Sequence, residues 1–375
     1  REMSFFILPK SSGFDPAADW RLELIYSGES KSGTKSYASV MQTYSLPKQY
    51  FRKDELNGPV PEKLWINAWE NRIVEISVLI FALLLLTTFF FFQDWGARRV
   101  RLYNATRMVF LVATLVGLGW YANAQLSVVN ILTFIQALLS KFHWDFFLLE
   151  PLIFILWGGV ALSLLFWGRG AFCGWLCPFG ALQELLSKVA VYFKLRQIRV
   201  PWGIHERLWP LKYIIFVAIF AIYMGNEDIA LIGAEIEPFK TAIILAFDRS
   251  WPFVLYAVAL LAVGLFIERF FCRYICPLGA ALAIPARLRM FEWLKRRWQC
   301  GLQCNICADQ CPVQAIHPDG KINPNECTYC LKCQVIYNDD LVCPPLAEKR
   351  KRKESRLTKS LVKRMEDAEL KGEET

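Results

Sequence analysis

Twelve cysteines stand in this chain, and eight of them lie between residues 300 and 343. Cys300, Cys304, Cys307 and Cys311 run C-x3-C-x2-C-x3-C and are followed by Pro312. Cys327, Cys330 and Cys333 run C-x2-C-x2-C, and Cys343 follows after a longer gap, ahead of Pro344. A cubane iron–sulfur cluster takes four thiolates. In two-cluster bacterial ferredoxins three come from one tight turn, and the fourth, just before a proline, comes from the other half of the repeat. The spacing therefore assigns Cys300, Cys304, Cys307 and Cys343 to one [4Fe-4S] cluster, and Cys311, Cys327, Cys330 and Cys333 to a second. Zinc accepts C-x2-C spacing alone, but two triplets plus two Cys-Pro pairs match the cluster pattern more specifically. Disulfides do not suit a segment expected to face the reducing cytosol.

The remaining cysteines, Cys173, Cys177, Cys272 and Cys276, form two C-x3-C-P motifs inside an internal repeat: Phe172–Ala181 (FCGWLCPFGA) matches Phe271–Ala280 (FCRYICPLGA). On a helix, positions four apart share a face, and Pro178 and Pro277 suit the first turn of a following helix. Each pair is expected at a helix junction on the cytoplasmic membrane surface. If the repeat symmetry brings both pairs around one axis, four thiolates make an additional metal, redox or iron–sulfur site. Redox-active thiol pairs and packing cysteines are the rival readings.

The three histidines, His143, His205 and His317, supply no facing pair at one depth, so a b-type haem is not expected. His317 reads as a surface or cluster-adjacent residue. His143 and Glu150 read as interfacial anchors in preference to contacts for a quinol head group. Trp65, Trp69, Trp95, Trp120, Trp144, Trp157, Trp167, Trp209 and Trp251 read as interfacial belt residues. Ser32-Gly33-Thr34 loosely matches a flavin-attachment threonine motif, but a polar hairpin turn fits its flanks better. With no nucleophile–base constellation and no phosphate loop, conventional hydrolytic or transfer catalysis is not indicated.

The elements that position these residues belong to a membrane protein. The 375 residues are 55% hydrophobic, and the apolar residues are blocked, as in membrane helices. Five stretches are expected to span: 73–92, 106–123, 151–167, 210–224 (the shortest) and 252–271. Two shorter pieces, 128–139 and 229–247, suit half-helices or interfacial segments. Basic residues near helix ends set orientation. Arg98, Arg99, Arg101 and Arg107 follow the first span, and Lys188, Lys194, Arg196, Arg199, Arg207 and Lys212 follow the third. The intervening loops carry acids, among them Asp145, Glu150, Glu227, Asp228, Glu235 and Glu237, and few bases (Lys141, Lys240, Arg249). The N-terminal segment is thereby expected outside and the cysteine-rich module inside. The net charge of +9 belongs to these loops and the tail, and no nucleic-acid binding is expected.

The expected fold is an α-helical polytopic membrane protein: about five spans in two parallel hairpin repeats, a C-terminal two-cluster ferredoxin-like α+β module, and an N-terminal remnant of a periplasmic β-containing domain. The divisions fall at 1–64 (end of the periplasmic domain), 65–102 (first span and inner loop), 103–200 and 201–295 (the repeats, each with CxxxCP), 296–346 (ferredoxin-like domain) and 347–375 (charged tail, disordered or a solvated helix). In the first segment Trp20–Tyr26 and Tyr37–Tyr44 alternate as paired strands across Ser27–Ser36, and Pro47, Pro59 and Pro61 break regular structure before the membrane. The chain begins at Arg1, as expected for a fragment of a longer protein.

The combination of Cys173–Pro178, Cys272–Pro277, Cys300–Pro312 and Cys327–Pro344 resembles, over nearly the whole chain, the C-terminal half of NosR, a family of membrane flavo-iron–sulfur proteins of nitrous oxide respiration. More distantly it is similar to NapH, a quinol dehydrogenase partner of periplasmic nitrate reductase, and to the polyferredoxins. The resemblance implies an inner-membrane electron-transfer protein that supports periplasmic nitrous oxide reductase activity and copper-site maturation, or expression of that enzyme. It implies the quinol pool or a cytosolic donor as electron source, and FMN only in an upstream domain. A NapH-like quinol dehydrogenase subunit and a redox-sensing or assembly scaffold are the alternatives.

Overall fold

The structure is a computed structural model that describes residues 20–29, 35–44, 64–139 and 144–372. Ser32-Gly33-Thr34, Pro47, Pro59, Pro61, Lys141 and His143 lie outside the described residues. The chain divides into two compact units, residues 1–64 and 65–375. In the first, β1 (Trp20–Glu29) and β2 (Lys35–Tyr44) pair antiparallel, with Trp20 opposite Tyr44 and Glu29 opposite Lys35. Both strands run further into the polar turn than alternation alone indicates.

The described part of the second unit is helical. Three helices are long and apolar enough to cross a membrane: Ile73–Phe91, Val100–Tyr121 and Trp202–Gly225. At 1.5 Å per residue they reach roughly 28–36 Å, against a hydrocarbon core of about 30 Å. The stretch expected to be shortest belongs to one of the longest helices, because Trp202–Leu208 adds about two more polar turns that an apolar count omits. Two of the five stretches expected to span form shorter apolar helices. Pro151–Phe166 and Trp251–Phe266 are apolar but have 16 residues each, roughly 24 Å. Each begins with a proline in its first turn. Each is broken below by a left-handed residue, Gly168 (φ 74°) in one case and Arg269 (φ 54°) in the other. Val128–Leu139 is a short helix of 12 residues.

Beyond these breaks the two C-x3-C-P junctions are built alike. A short helical turn, Phe172–Leu176 or Phe270–Tyr274, carries the first cysteine. The second cysteine leaves the helix: Cys177 is extended (φ −81°, ψ 113°) and Cys276 nearly so (φ −59°, ψ 107°). Each caps the next helix through its sulfur, Cys177 accepting from Gly180 N–H at 3.4 Å and Cys276 from Gly279 N–H at 3.2 Å. Pro178 and Pro277 open those helices, Pro178–Tyr192 and Pro277–Ala283, where a missing N–H costs nothing. The cysteines of a pair therefore do not share the face of one continuous helix. One sits on a helical turn and the other on the N-terminus below it, where partial positive charge favours sulfur in its anionic form.

The α+β expectation for residues 296–346 is also modified. The described residues there form the short helices Ile306–Asp309 and Lys332–Asn338. Isolated bridges, Cys300 with Cys304 and Ile316 with Ile322, stand in place of strands. Residues 344–372 form a helix whose side chains are exposed from Lys351 to Val362.

The core gathers around Trp175, which is fully buried. Phe89, Phe90 and Phe110 surround it with ring centroids 5.3, 5.6 and 5.8 Å away, and the Arg107 guanidinium lies 4.3 Å above its ring. Trp95, Trp120, Trp144 and Trp251 are exposed, as belt residues are, whereas Trp167 is buried against Phe90 and Trp293. The helix ends and the cysteine-rich module meet at backbone level. A Cβ on Gly174 would stand 1.9 Å from the Thr328 carbonyl oxygen, and one on Gly170 would stand 2.6 Å from Tyr329 Cβ. Gly174→Ala is expected to push the Thr328 loop off the helix end, costing at least about 3 kcal/mol, the upper part of the usual overpacking range. Gly158→Ala, which meets nothing within 4 Å, is expected to be neutral or slightly stabilising, by up to about 1 kcal/mol. Tryptophan-monitored unfolding of both variants in detergent checks the difference.

Candidate metal centres

Cys311, Cys327, Cys330 and Cys333 line one small, largely enclosed cavity together with Leu294, Val313, Ile316 and Leu331. The loop that wraps it is wound by two left-handed residues on either side of Cys330: Tyr329 (φ 51°) and Leu331 (φ 64°). Three of the sulfurs already accept hydrogen bonds. Cys327 accepts from Tyr329 N–H (3.4 Å), Cys311 from Ala315 N–H (3.3 Å) and Cys333 from Gln334 Nε2 (3.5 Å). Donors of this kind tune a cluster's potential by stabilising charge on sulfur.

The other set is held more openly. Cys300 and Cys304 pair across a tight turn in which Gly301 (φ 91°) donates to the Cys304 carbonyl at 3.0 Å. Only glycine fits there, since a Cβ would lie 2.0 Å from the Asp319 carbonyl carbon. Arg297 ties the first cysteine to the last. Its carbonyl accepts from Cys300 N–H (3.0 Å), its guanidinium donates to Cys343 Sγ (2.9 Å), and it stacks 3.9 Å over the Tyr337 ring. Cys307 lies within electrostatic reach of Cys300 and Cys304, and its sulfur is 3.9 Å from the Cys333 carbonyl oxygen. The two cysteine sets therefore adjoin.

The module is seated on the helix ends by polar contacts around Cys327–Cys330. Trp175 Nε1 donates to the Tyr329 carbonyl (3.0 Å), the Tyr103 hydroxyl to the Cys330 carbonyl (2.5 Å) and the Tyr329 hydroxyl to Gln93 Oε1 (2.9 Å). Glu326, next to Cys327, is buried and accepts from Lys212 and from the Tyr213 hydroxyl (3.3 Å), with Arg169 3.6 Å away. A second buried group centres on Glu184, which accepts from Arg107 (3.0 and 2.7 Å) and Arg269 (2.6 Å). Burial alone raises the Glu184 carboxyl, but the two arginines outweigh it and hold the group well below the usual carboxylate range. Two residues counted above as orienting loop charges, Arg107 and Lys212, are thus buried ion-pair partners instead (2% and 0% exposed). Each loop keeps other bases without them.

Of the histidines, His205 is buried in the helix Trp202–Leu208, 2.9 Å from the Tyr274 hydroxyl. His317 is half-buried with its ring edge-on to Trp202 (4.6 Å). Glu150 pairs with Arg72 at the surface (3.1 Å). The two C-x3-C-P junctions are tied together by Arg269, which donates to the Cys173 and Gly174 carbonyls (2.8 and 3.2 Å), and by Arg169, which donates to the Gly279 carbonyl (3.1 Å). Among the described residues no three Cys, His, Asp or Glu side chains converge to hold a single metal ion. A cubane distributes its thiolates over different irons, so sulfurs that surround a space, as the four in the cavity do, suit a cluster better than a lone ion.

A family model named NosR matches residues 298–354, and a model described as a 4Fe-4S binding domain matches twice, over 149–201 and 250–300. The regulatory protein NosR of Pseudomonas aeruginosa is 49% identical over 363 residues, which is 94% of this chain and 50% of that protein. A shorter regulatory protein NosR sequence from Pseudomonas aeruginosa is 65% identical over 82 residues, 22% of this chain and 82% of its own. The chain belongs to the NosR family. Protein NirI of Paracoccus denitrificans is equally similar, 50% identical over 349 residues, 92% of this chain and 51% of that protein. The chain spans about half the length of these longer curated relatives. No solved structure matches it.

The cysteine spacing gave no hint of Glu326, Lys212, Arg169, Trp175 or Arg297. Lys212 had one available signal, as the lone charge in Leu211–Gly225. Glu326→Gln is expected to leave Lys212 and Arg169 buried without their carboxylate, a loss of roughly 3–5 kcal/mol as for other broken buried pairs. It should also speed iron loss from the module to a chelator. Asp319→Asn, at an exposed turn, should change neither. Thermal unfolding and chelator-challenge kinetics, followed by absorbance, test the pair.

Proposed function

We propose that this chain is the membrane electron-transfer part of a NosR-type protein. In this reading Cys300, Cys304, Cys307 and Cys343 hold one [4Fe-4S] cluster, and Cys311, Cys327, Cys330 and Cys333 hold the other. Each cluster, when bound, supplies one-electron chemistry. The chain's own residues do the rest. Tyr329, Val313 and Leu331 wall the sulfur-lined cavity against water, Arg297 and the loop N–H groups stabilise charge on the sulfurs, and the glycine contact fixes the module against the helix ends. The observation that carries the reading is how that cavity is seated: cysteines of cluster-type spacing line it, its loop packs on the junction residue Gly174, and it is hydrogen-bonded to the membrane-length helices Val100–Tyr121 and Trp202–Gly225 through Tyr103 and Lys212.

The proposed setting is the bacterial inner membrane with the module cytoplasmic, supported by the bases that remain in the loops after Arg107 and Lys212 are removed from the count. In this arrangement the two 16-residue helices complete five crossings with the turns below them, and the alike-built junctions close two parallel hairpin repeats. Residues 1–64 then belong to a periplasmic domain. The proposed partners are the quinol pool or a cytosolic donor on one side and periplasmic nitrous oxide reductase on the other, with FMN carried by a domain upstream of this chain. The longer protein would support that reductase's activity and copper-site maturation.

A second reading has its own support. Three relatives carry the name regulatory protein, and a module welded to helix ends by buried ion pairs passes a change at its clusters to the helices. A redox-sensing scaffold uses the same contact without delivering electrons. Similarity to ferredoxin-type protein NapH extends over 51% of this chain, less than that to the NosR relatives, which favours NosR over a NapH-like subunit.

In the longer protein with its flavin bound, dithionite reduction of the clusters should be followed by flavin reduction, and Cys327→Ser should abolish the second step. If clusters and flavin never equilibrate in the iron-replete protein, the relay reading fails and the sensor reading stands.

A further inference from the structure

A strap of chain crosses the end of the helix Pro151–Phe166 that meets the cysteine-rich module. Met290 N–H donates to the Leu165 carbonyl (2.8 Å) and Trp293 Nε1 to the Phe166 carbonyl (3.1 Å), so two carbonyls that a helix end leaves open are satisfied. Between this strap, Trp167 and the module lies a cavity of about 330 Å³, within the size range of small-molecule sites. Trp167, Phe291, Trp293 and Tyr329 give it ring walls, with Trp293 stacked on Trp167 at 6.2 Å. Three cations, Arg289, Arg296 and Lys321, and one acid, Glu292, supply its charge.

Three features of this cavity describe its occupant. Trp167 is 7% exposed, and its buried Nε1–H has no hydrogen-bond partner among the described residues. A buried donor costs free energy until an acceptor reaches it. The cations are answered only in part. Arg289 pairs with Glu292 (2.8 Å) and Lys321 lies 3.7 Å from Asp319, but the Glu292 and Asp319 side chains are 83% and 53% exposed, so both pairs are weak and give way at little cost. Arg296 spends its Nε on the Gly320 carbonyl (3.0 Å). The rim of the cavity is apolar. Leu288, Met290 and Phe291 are exposed there, and the rings of Phe291, Phe166 and Phe91 follow one another at 5.9 and 6.4 Å. They lead from the cavity onto the helices Pro151–Phe166 and Ile73–Phe91.

We propose that this cavity binds an anionic phospholipid of the inner leaflet. Its phosphate is held by Arg289, Arg296 and Lys321 with Trp167 Nε1–H as a further donor, and its acyl chains lie along Phe291, Phe166 and Phe91. Basic pockets at the cytoplasmic ends of membrane helices suit acidic head groups, and aromatic rings suit the same depth. A free phosphate shares the head-group chemistry but leaves the apolar rim bare, and a neutral quinone uses the rings but leaves the cations unanswered. Leu294, Ile322 and Tyr329 line this cavity and also the one bounded by Cys311, Cys327, Cys330 and Cys333. The lipid therefore braces the wall between the bilayer and those cysteines. The assignment rests on the membrane setting proposed above and not on electron transfer.

The test offers the iron-loaded chain, in detergent, phosphatidylglycerol, phosphatidylcholine or inorganic phosphate, and counts bound molecules by native mass spectrometry. A single phosphatidylglycerol should be retained, about tenfold or more tightly than phosphatidylcholine, and inorganic phosphate at the same concentration should not displace it. Arg289→Gln combined with Lys321→Gln should weaken retention by about tenfold or more. Trp167→Phe, which keeps a ring and loses the donor, should weaken it several-fold. Lys240→Gln, at an exposed cation paired with Glu235, should leave it unchanged. Every variant should keep its iron, which separates a lost lipid from a lost module. Equal retention of the two lipids, or retention unchanged in the double variant, would overturn the site. Displacement by inorganic phosphate would reassign the cavity to a free anion and overturn the lipid.

Discussion

The Thr328 carbonyl packs where any side chain on residue 174 would have to be, and this contact sets how the cysteine-rich module meets the helices. Backbone laid on backbone admits no adjustment by rotamer, so the loop Cys327–Cys330 has one seat. The Trp175 indole and the Tyr103 hydroxyl then satisfy the two loop carbonyls that this seat buries, as buried polar groups require. The cavity lined by Cys311, Cys327, Cys330 and Cys333 takes one wall from that loop and its continuation, and the other from Cys311, Val313, Ile316 and Leu294.

The second determinant is charge placed in apolar surroundings. Arg107, Arg269, Arg169 and Lys212 would be prohibitively costly alone, and they persist because Glu184 and Glu326 neutralise them in part. Glu326 comes from the module and its partners from the helices, so this pair also discriminates the correct docking from any shifted one. The helix Trp251–Phe266 ends at the extended Ile267, and Arg269 then adopts a left-handed backbone at the start of the next helical turn. From there its guanidinium reaches Glu184 and the Cys173 and Gly174 carbonyls of the other cysteine junction.

How much of this was legible in the sequence follows from how local each feature is. The cysteine sets fall within one short segment, residues 300–343, and Pro178 and Pro277 fall at the helix starts that the sequence indicates. Helix limits were less legible. Apolarity alone misses Trp202–Leu208, whose polar residues still continue a helix, and overestimates 252–271, where a charged residue must turn left-handed. Arg107 and Lys212 were misread as loop charges because a positive-inside count cannot tell a base facing water from one paired with a carboxylate far along the chain. Glu326 and Glu184 were invisible for the same reason: their partners lie 77 to 157 positions away, and nothing in either local sequence marks them. Gln125 and Glu237 occupy equivalent places beside the two junctions, accepting from Phe179 N–H and Leu278 N–H, but a repeat recognised only over ten residues does not extend to them.

The central claim is that the cysteine-rich module is a fixed extension of the membrane helices, joined through Gly174 and Glu326. An electron cryomicroscopy map of the iron-loaded chain in a lipid nanodisc tests it most directly. The account predicts the Cys327–Cys330 loop in van der Waals contact with Gly170 and Gly174, and cluster density enclosed by Cys311, Cys327, Cys330 and Cys333. A module resolved apart from the helix ends, with Glu326 away from Lys212 and Arg169, would contradict it.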